Sequence, residues 1–136
     1  MFSEISKGQT KTLPPTIDRV AIMDPVQFFK SLADDTRLRC ILLIYLEQEL
    51  CVCELTAALD ETQPKISRHL AQLRKCQLLV GKRQGQWVFY RLNPALAHWA
   101  KEVIQRTAEN SREFLHLNHQ RLAKMGERPE RTSMCC

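Results

Sequence analysis

Apolar residues recur at helical spacing along most of the chain from Asp24 to Thr107, and change to strand-like runs only between Leu78 and Leu92. Asp24-Pro25 reads as an N-cap with proline in the first helical turn, opening a short helix with Val26, Phe28, Phe29 and Leu32 on its apolar side. Asp34-Asp35-Thr36 starts a second helix, whose Leu38, Ile41, Leu42, Tyr45 and Leu46 make it the central core element. A third, short helix is expected from Cys53 to Leu59. After the turn at Asp60-Glu61, Thr62 caps a fourth helix, Gln63 to about Cys76, with Pro64 in its first turn and Ile66, Leu70 and Leu73 as its buried stripe. Leu78–Val80 and Trp87–Leu92 read as two strands, joined by a basic turn, 81–86, that carries Lys82, Arg83 and Gln84. Asn93-Pro94 then opens one long final helix. Its stripe of Leu96, Trp99, Val103, Ile104 and Thr107 exceeds what the hairpin needs to cover, which points to a dimer contact.

These elements make a mainly α (α+β) fold: a winged helix-turn-helix with a two-stranded wing and a long C-terminal dimerisation helix. Residues 24–122 form the domain, 1–23 read as a flexible N-terminal tail, and 123–136 as a flexible C-terminal tail ending in Cys135-Cys136. At 136 residues the chain suits one domain. No apolar run approaches the roughly 20 residues that span a membrane, and the N-terminus lacks a signal pattern, so the expectation is a cytoplasmic protein without a membrane partner.

The formal net charge of +5 is unevenly placed. Between Glu61 and Asn93 the bases Lys65, Arg68, Arg74, Lys75, Lys82, Arg83 and Arg91 face a single acid, whereas acids prevail between Asp24 and Asp60. A basic block beside an acidic one suits one face to phosphates. A helix fits the DNA major groove and reads base edges with polar side chains. That nominates Ser67, Arg68, His69 and Gln72 as readers, and Gln63 and Lys65 at the helix's positive end for phosphate or base contact. Lys82, Arg83 and Gln84 are placed to clamp backbone or enter the minor groove. The chain has no glycine-rich phosphate loop, no Ser/His/Asp order and no paired carboxylates, so neither an enzyme nor a catalytic cofactor is expected.

Six cysteines stand at 40, 51, 53, 76, 135 and 136. Cys40 and Cys76 lie among apolar neighbours and read as structural. Cys51-Val52-Cys53 is different: soft thiolates select soft ions such as As(III), Sb(III), Cd(II) and Cu(I). Residues two apart point about 200° apart around a helix. The two sulfurs therefore converge on one ion only if the pair precedes the helix, or if binding unwinds its first turn.

Four stretches together resemble the ArsR/SmtB family of metal-sensing repressors, nearest its arsenic-responsive branch. They are Leu32-Ala33-Asp34-Asp35-Thr36-Arg37-Leu38, Glu49-Leu50-Cys51-Val52-Cys53-Glu54-Leu55, Gln63-Pro64-Lys65-Ile66-Ser67-Arg68-His69-Leu70 and Gly85-Gln86-Trp87-Val88-Phe89-Tyr90-Arg91-Leu92. The resemblance implies a homodimer on an inverted-repeat operator in double-stranded DNA. It also implies release when As(III) or Sb(III), as inducer, binds Cys51 and Cys53. Some arsenic sensors carry a third cysteine where this chain has Thr56, which leaves the third ligand open between Cys135 or Cys136 of the tail and a small cellular thiol or hydroxide. The family's zinc site falls here on Pro94, Leu96, Thr107 and Asn110, a poor donor set, and the N-terminal tail lacks the cysteine of cadmium/lead sensors. Those sensors, a thiol redox switch and a metallochaperone are the competing readings.

Overall fold

The computed structural model describes residues 24–129 and Arg131; the tail 1–23 and Cys135-Cys136 lie outside the described residues. Helix α1 (Pro25–Leu32) begins where the Asp24 side chain accepts the N–H of Val26 at 3.0 Å, and α2 (Asp35–Glu47) where Asp34 accepts that of Arg37 at 3.0 Å. Cys40, Ile41, Leu42, Leu43 and Ile44 are all fully buried, so α2 is enclosed on every side over this stretch rather than along one stripe; Tyr45 is half-buried and Leu46 is exposed. Helices α3 (Val52–Leu59) and α4 (Gln63–Lys75) follow as the helix-turn-helix pair. Asp60, in the left-handed region at φ 54°, ends α3, and Thr62 stands at the N-cap of α4 without a side-chain capping bond.

The sheet has one strand more than the sequence predicts. Strand β1 (Leu50–Cys51) pairs antiparallel with β3 (Trp87–Leu92), which pairs in turn with β2 (Leu79–Gln84), giving the order β1-β3-β2. Leu50 lies opposite Tyr90, and Cys51 opposite Phe89. Two residues are too few to carry an alternation, so β1 leaves no periodic signal. The wing also differs from the expected six-residue turn. Lys82, Arg83 and Gln84 continue β2, opposite Phe89, Val88 and Trp87, and only Gly85-Gln86 form the turn, with Gly85 at φ 63°.

The expected long final helix is two helices, α5 (His98–Glu109) and α6 (His116–Lys124). Asn93 delays the start of α5: its side chain accepts the N–H of Ala95 at 2.9 Å, an Asx turn that competes with helix. At the other end Asn110 Nδ2 donates to the Arg106 carbonyl at 2.8 Å, satisfying an acceptor the helix leaves open. The predicted stripe divides. Leu96 and Ile104 join the core; Val103 and Thr107 are half-buried; Trp99 stands at the surface, with its ring 5.0 Å from Phe28 and 6.3 Å from Phe29.

Helix α6 folds back onto α3. The buried Asn118 donates to the Ala58 carbonyl at 2.9 Å, and Arg121 reaches the same oxygen at 3.3 Å. Beyond α6, part of the stretch read as a C-terminal tail is built onto the domain through Arg128 and Arg131, which find carboxylate partners there. Among the described residues no helix is long and apolar enough to cross a membrane.

Candidate nucleic-acid interface and thiol site

Helix α4 buries Ile66, Leu70 and Leu73 and leaves Gln63, Ser67, Arg68 and Gln72 exposed. The residues proposed as readers are not equivalent. Ser67 and Arg68 point outward on the first two turns. Lys65 is half-buried and paired with Glu61 at 3.0 Å. His69 leans back toward α2, with Nδ1 3.4 Å from Arg37 Nη1 and Nε2 3.9 Å from Asp34. Burial holds its pKa below the ordinary 6.5, against the pull of Asp34. Gln72 Oε1 accepts from Arg37 Nη1 at 2.9 Å. Lys82, Arg83 and Gln84 are exposed on the wing.

Arg37 is a residue that sequence reasoning passed over. Besides His69 and Gln72, its Nε donates to the Ser31 carbonyl at 2.7 Å and its Nη2 to that of Lys30 at 3.3 Å. It thus ties the end of α1 to the inner edge of α4 and sets how α4 sits on the body. Its place inside the Asp34–Leu38 motif is the only sequence signal it carries.

The thiol pair straddles a boundary. Cys51 is extended (φ −94°, ψ 169°) and serves at once as the last residue of β1 and the N-cap of α3; Cys53 lies on the first turn of α3. The helical objection to convergence therefore applies to one sulfur only. Cys51 and Glu54 form a capping box in which a thiol takes the usual hydroxyl's place: the Cys51 sulfur faces the Glu54 N–H, and Glu54 Oε1 accepts the Cys51 N–H at 2.9 Å. Cys51 is a buried free thiol, and its burial, with the Glu54 carboxylate beside it, raises its pKa, partly opposed by the N–H groups of Glu54 and Cys53. Cys53 takes part in a disulfide, to which the free thiols Cys40, Cys51 and Cys76 do not contribute. Thr56, where a third sulfur would stand, donates its hydroxyl to the Val52 carbonyl at 2.8 Å.

Glu54 is the second residue that sequence reasoning missed. It is fully buried, and its carboxylate takes a two-pronged contact from Arg128: Nη2 to Oε1 at 2.7 Å and Nε to Oε2 at 3.0 Å. Arg131 Nε adds an ion pair with Oε2 at 2.7 Å. These contacts, with the Cys51 N–H, hold the carboxyl below its ordinary pKa despite burial. Arg128 also donates to the Glu49 carbonyl at 2.9 Å and lies over the Phe89 ring at 4.7 Å. One guanidinium therefore touches the segment before β1, the start of α3 and the wing. Of the other two cysteines among the described residues, Cys40 is wholly enclosed, its pKa pushed up to about 12 by burial, and Cys76 accepts from Gln27 Nε2 at 3.3 Å. No group of three or more His, Cys, Asp or Glu suited to a metal ion occurs among the described residues.

A helix-turn-helix with a basic outer face, flanked by a two-stranded wing, defines a winged-helix DNA-binding regulator. A family model described as bacterial regulatory protein, arsR family, matches residues 34–79. The chain is 53% identical over 115 residues to the arsenic resistance transcriptional regulator ArsR2 of Pseudomonas putida, covering 85% of this chain and all of that one. It is 44% identical over 111 residues to the arsenical resistance operon repressor of Escherichia coli, covering 82% and 95%. Among solved structures, reduced HlyU from Vibrio cholerae superimposes with a TM-score of 0.56 at 31% identity, over 62% of this chain and 84% of that one. The chain belongs to the arsR family of bacterial regulatory proteins and is a transcription regulator, not an enzyme.

Proposed function

We propose that the chain is a cytoplasmic, metalloid-responsive transcriptional repressor that controls arsenic-resistance genes. It binds an inverted-repeat operator as a homodimer and is released when As(III) or Sb(III) binds Cys51 and Cys53. The observation that carries this reading is the double place of Cys51, which stands in register opposite Phe89 in the wing sheet and also caps the first helix of the helix-turn-helix. A soft ion drawing the Cys51 and Cys53 sulfurs together acts on the joint between the wing and α3, the helix that precedes the reading helix. It weakens DNA binding by its preference for the rearranged backbone, and bound DNA weakens the ion by the same factor. Gln63, Ser67 and Arg68 supply base or phosphate contacts from α4, with Lys65, His69 and Gln72 along its inner edge. Lys82, Arg83 and Gln84 supply backbone contacts from the wing. Once Cys53 is reduced, Cys51 and Cys53 supply two soft sulfurs for a thiophilic ion, and the third comes from Cys135 or Cys136.

The homodimer reading is supported by the exposed apolar side chains of Val26 and Phe29 on α1, 62% and 51% exposed, and by Trp99 of α5, whose ring lies 6.3 Å from that of Phe29. Two copies joined there present two recognition helices to half-sites about 34 Å apart.

The test is a fluorescence-anisotropy titration on the protein's own promoter DNA, with arsenite, antimonite, cadmium, zinc and peroxide as separate arms. Release by arsenite and antimonite that is lost in Cys51→Ser/Cys53→Ser supports the reading; release by zinc or cadmium alone refutes it. The disulfide at Cys53 favours a second reading, a thiol redox switch. In that case peroxide, not arsenite, releases the DNA.

A further inference from the structure

We propose that α6, with Arg128 and Arg131 beyond it, is a clamp on α3 that sets how much soft ion the sensor needs: it holds Glu54, and with it the Cys51 cap, in the arrangement that binds DNA, and an ion closes on Cys51 and Cys53 only by prising Glu54 away. This rests on the reading of Cys51 and Cys53 as the sensor and names Arg128 as its positioning residue.

The clamp grips α3 at both ends. At the C-terminal end the Ala58 carbonyl, which has no partner within the helix, accepts from Asn118 Nδ2 at 2.9 Å and from Arg121 Nη1 at 3.3 Å. Asn118 is itself fastened to the body. Arg39 of α2 donates to its Oδ1 at 2.8 Å and to the Phe114 carbonyl at 2.6 Å, and lies 3.8 Å over the Phe114 ring. This end of the clamp is therefore anchored without any help from Glu54.

At the N-terminal end one carboxylate carries the load. A fully buried carboxylate is expensive unless it is paired and hydrogen-bonded, and Glu54 has the forked Arg128 contact, the Arg131 ion pair and the Cys51 N–H. Arg128 also bonds the Glu49 carbonyl and covers the Phe89 ring. Its contacts thus fall on both sides of Cys51 in the sequence, and on the residue opposite Cys51 in the sheet. Cys53 lies on the first turn of α3, so bringing its sulfur round to Cys51 rotates or unwinds that turn. Glu54 is the next residue and moves with it. The fork, the ion pair and the capping bond are then lost together, and that loss is subtracted from what the ion gains from its sulfur bonds. The ion's apparent affinity falls by the fraction of molecules in which the clamp is open. An ion that binds sulfur weakly leaves the operator occupied.

The experiment measures the arsenite that releases half of a labelled promoter duplex from the full chain, under a phosphine reductant that keeps Cys53 a thiol. Arg128→Gln, shown to be folded by its urea transition, should need about tenfold less arsenite. Any fall in its operator affinity without arsenite should be smaller than that. Arg128→Lys keeps a cation beside Glu54 but not the fork, and should shift less in the same direction. Ile104→Val, a change in the core under α5, should lower the urea midpoint and leave the arsenite requirement unchanged. In the wild-type protein arsenite should speed hydrogen exchange of the Cys51 amide, which Glu54 holds, at least tenfold. If that amide stays as protected as before, or if folded Arg128→Gln and Arg128→Lys need as much arsenite as wild type, the clamp proposal is overturned. The sensor reading then stands so long as Cys51→Ser/Cys53→Ser is silent. If that double variant still responds to arsenite, the sensor reading itself fails.

Discussion

The sensing end and the reading face use charge in opposite ways. Around Cys51 the charged groups are inward and mutually committed: Glu54 is fully buried, and Arg128 and Arg131 are spent on it. On the reading face Arg68, Lys82 and Arg83 are exposed. A buried ion cluster fixes one backbone arrangement and penalises its loss, whereas exposed cations add little to stability and remain available for a polyanion. The contrast separates what keeps the protein in one state from what it does in that state. Arg37 of α2 and His69 of α4 meet at the inner edge of α4, behind the reading face.

The hardest test of the contrast is Glu54→Ala. It strands two arginines and the Cys51 N–H, and should lower unfolding free energy by about 3 kcal/mol in urea titrations; Glu54→Gln, which keeps an acceptor, should cost less. Next comes Arg68→Ala, which should weaken specific operator binding by about 1–3 kcal/mol with an unchanged urea midpoint. An equal loss of stability would mean that the reading face is structural after all. Lys82→Ala should act on all DNA sequences alike. It should lower the slope of log affinity against log salt by about one, sparing roughly threefold of the affinity otherwise lost between about 50 and 200 mM. The smallest effect belongs to His69. Its folded pKa lies below 6.5, so the neutral ring is the form the fold prefers. That contribution is present above pH 6.5 and is lost as pH falls through the lower folded value. His69→Gln should flatten this part of the acid limb, and an NMR titration of the ring should show the depressed midpoint directly.

Much of the architecture was legible because it is periodic. The order of helices α1 to α4, the hairpin and the buried stripe Ile66, Leu70, Leu73 all follow from spacing, caps and turn residues. What was not legible is what lacks a period or spans a long separation. Strand β1 is two residues long. The late start of α5 rests on the Asn93 side chain, and the break between α5 and α6 falls at Asn110, whose side chain bonds the Arg106 carbonyl, with no glycine or proline to mark that break. Glu54 and Arg128 are 74 residues apart, and nothing in a polar C-terminal stretch announces an internal partner. One clue was present: Cys51-Val52-Cys53-Glu54 has capping-box spacing, with sulfur in place of a hydroxyl. It marks Glu54 as an N-terminal cap and Cys51 as lying outside the helix. On α4 the spacing gives the buried stripe but not which of the remaining side chains are drawn toward the body, since that depends on Arg37 reaching across from α2.

The long separation inside the clamp also has a consequence in time. A ribosome adding about 5–20 residues per second makes Arg128 several seconds after Glu54. Through that interval the nascent chain holds a carboxylate destined for burial, with neither of its guanidinium partners yet made. The joint between the wing and α3 is thus among the last parts of the domain to set, although the residues that form it are already in hand. Until then the start of α3 rests on the local capping box of Cys51 and Glu54 alone.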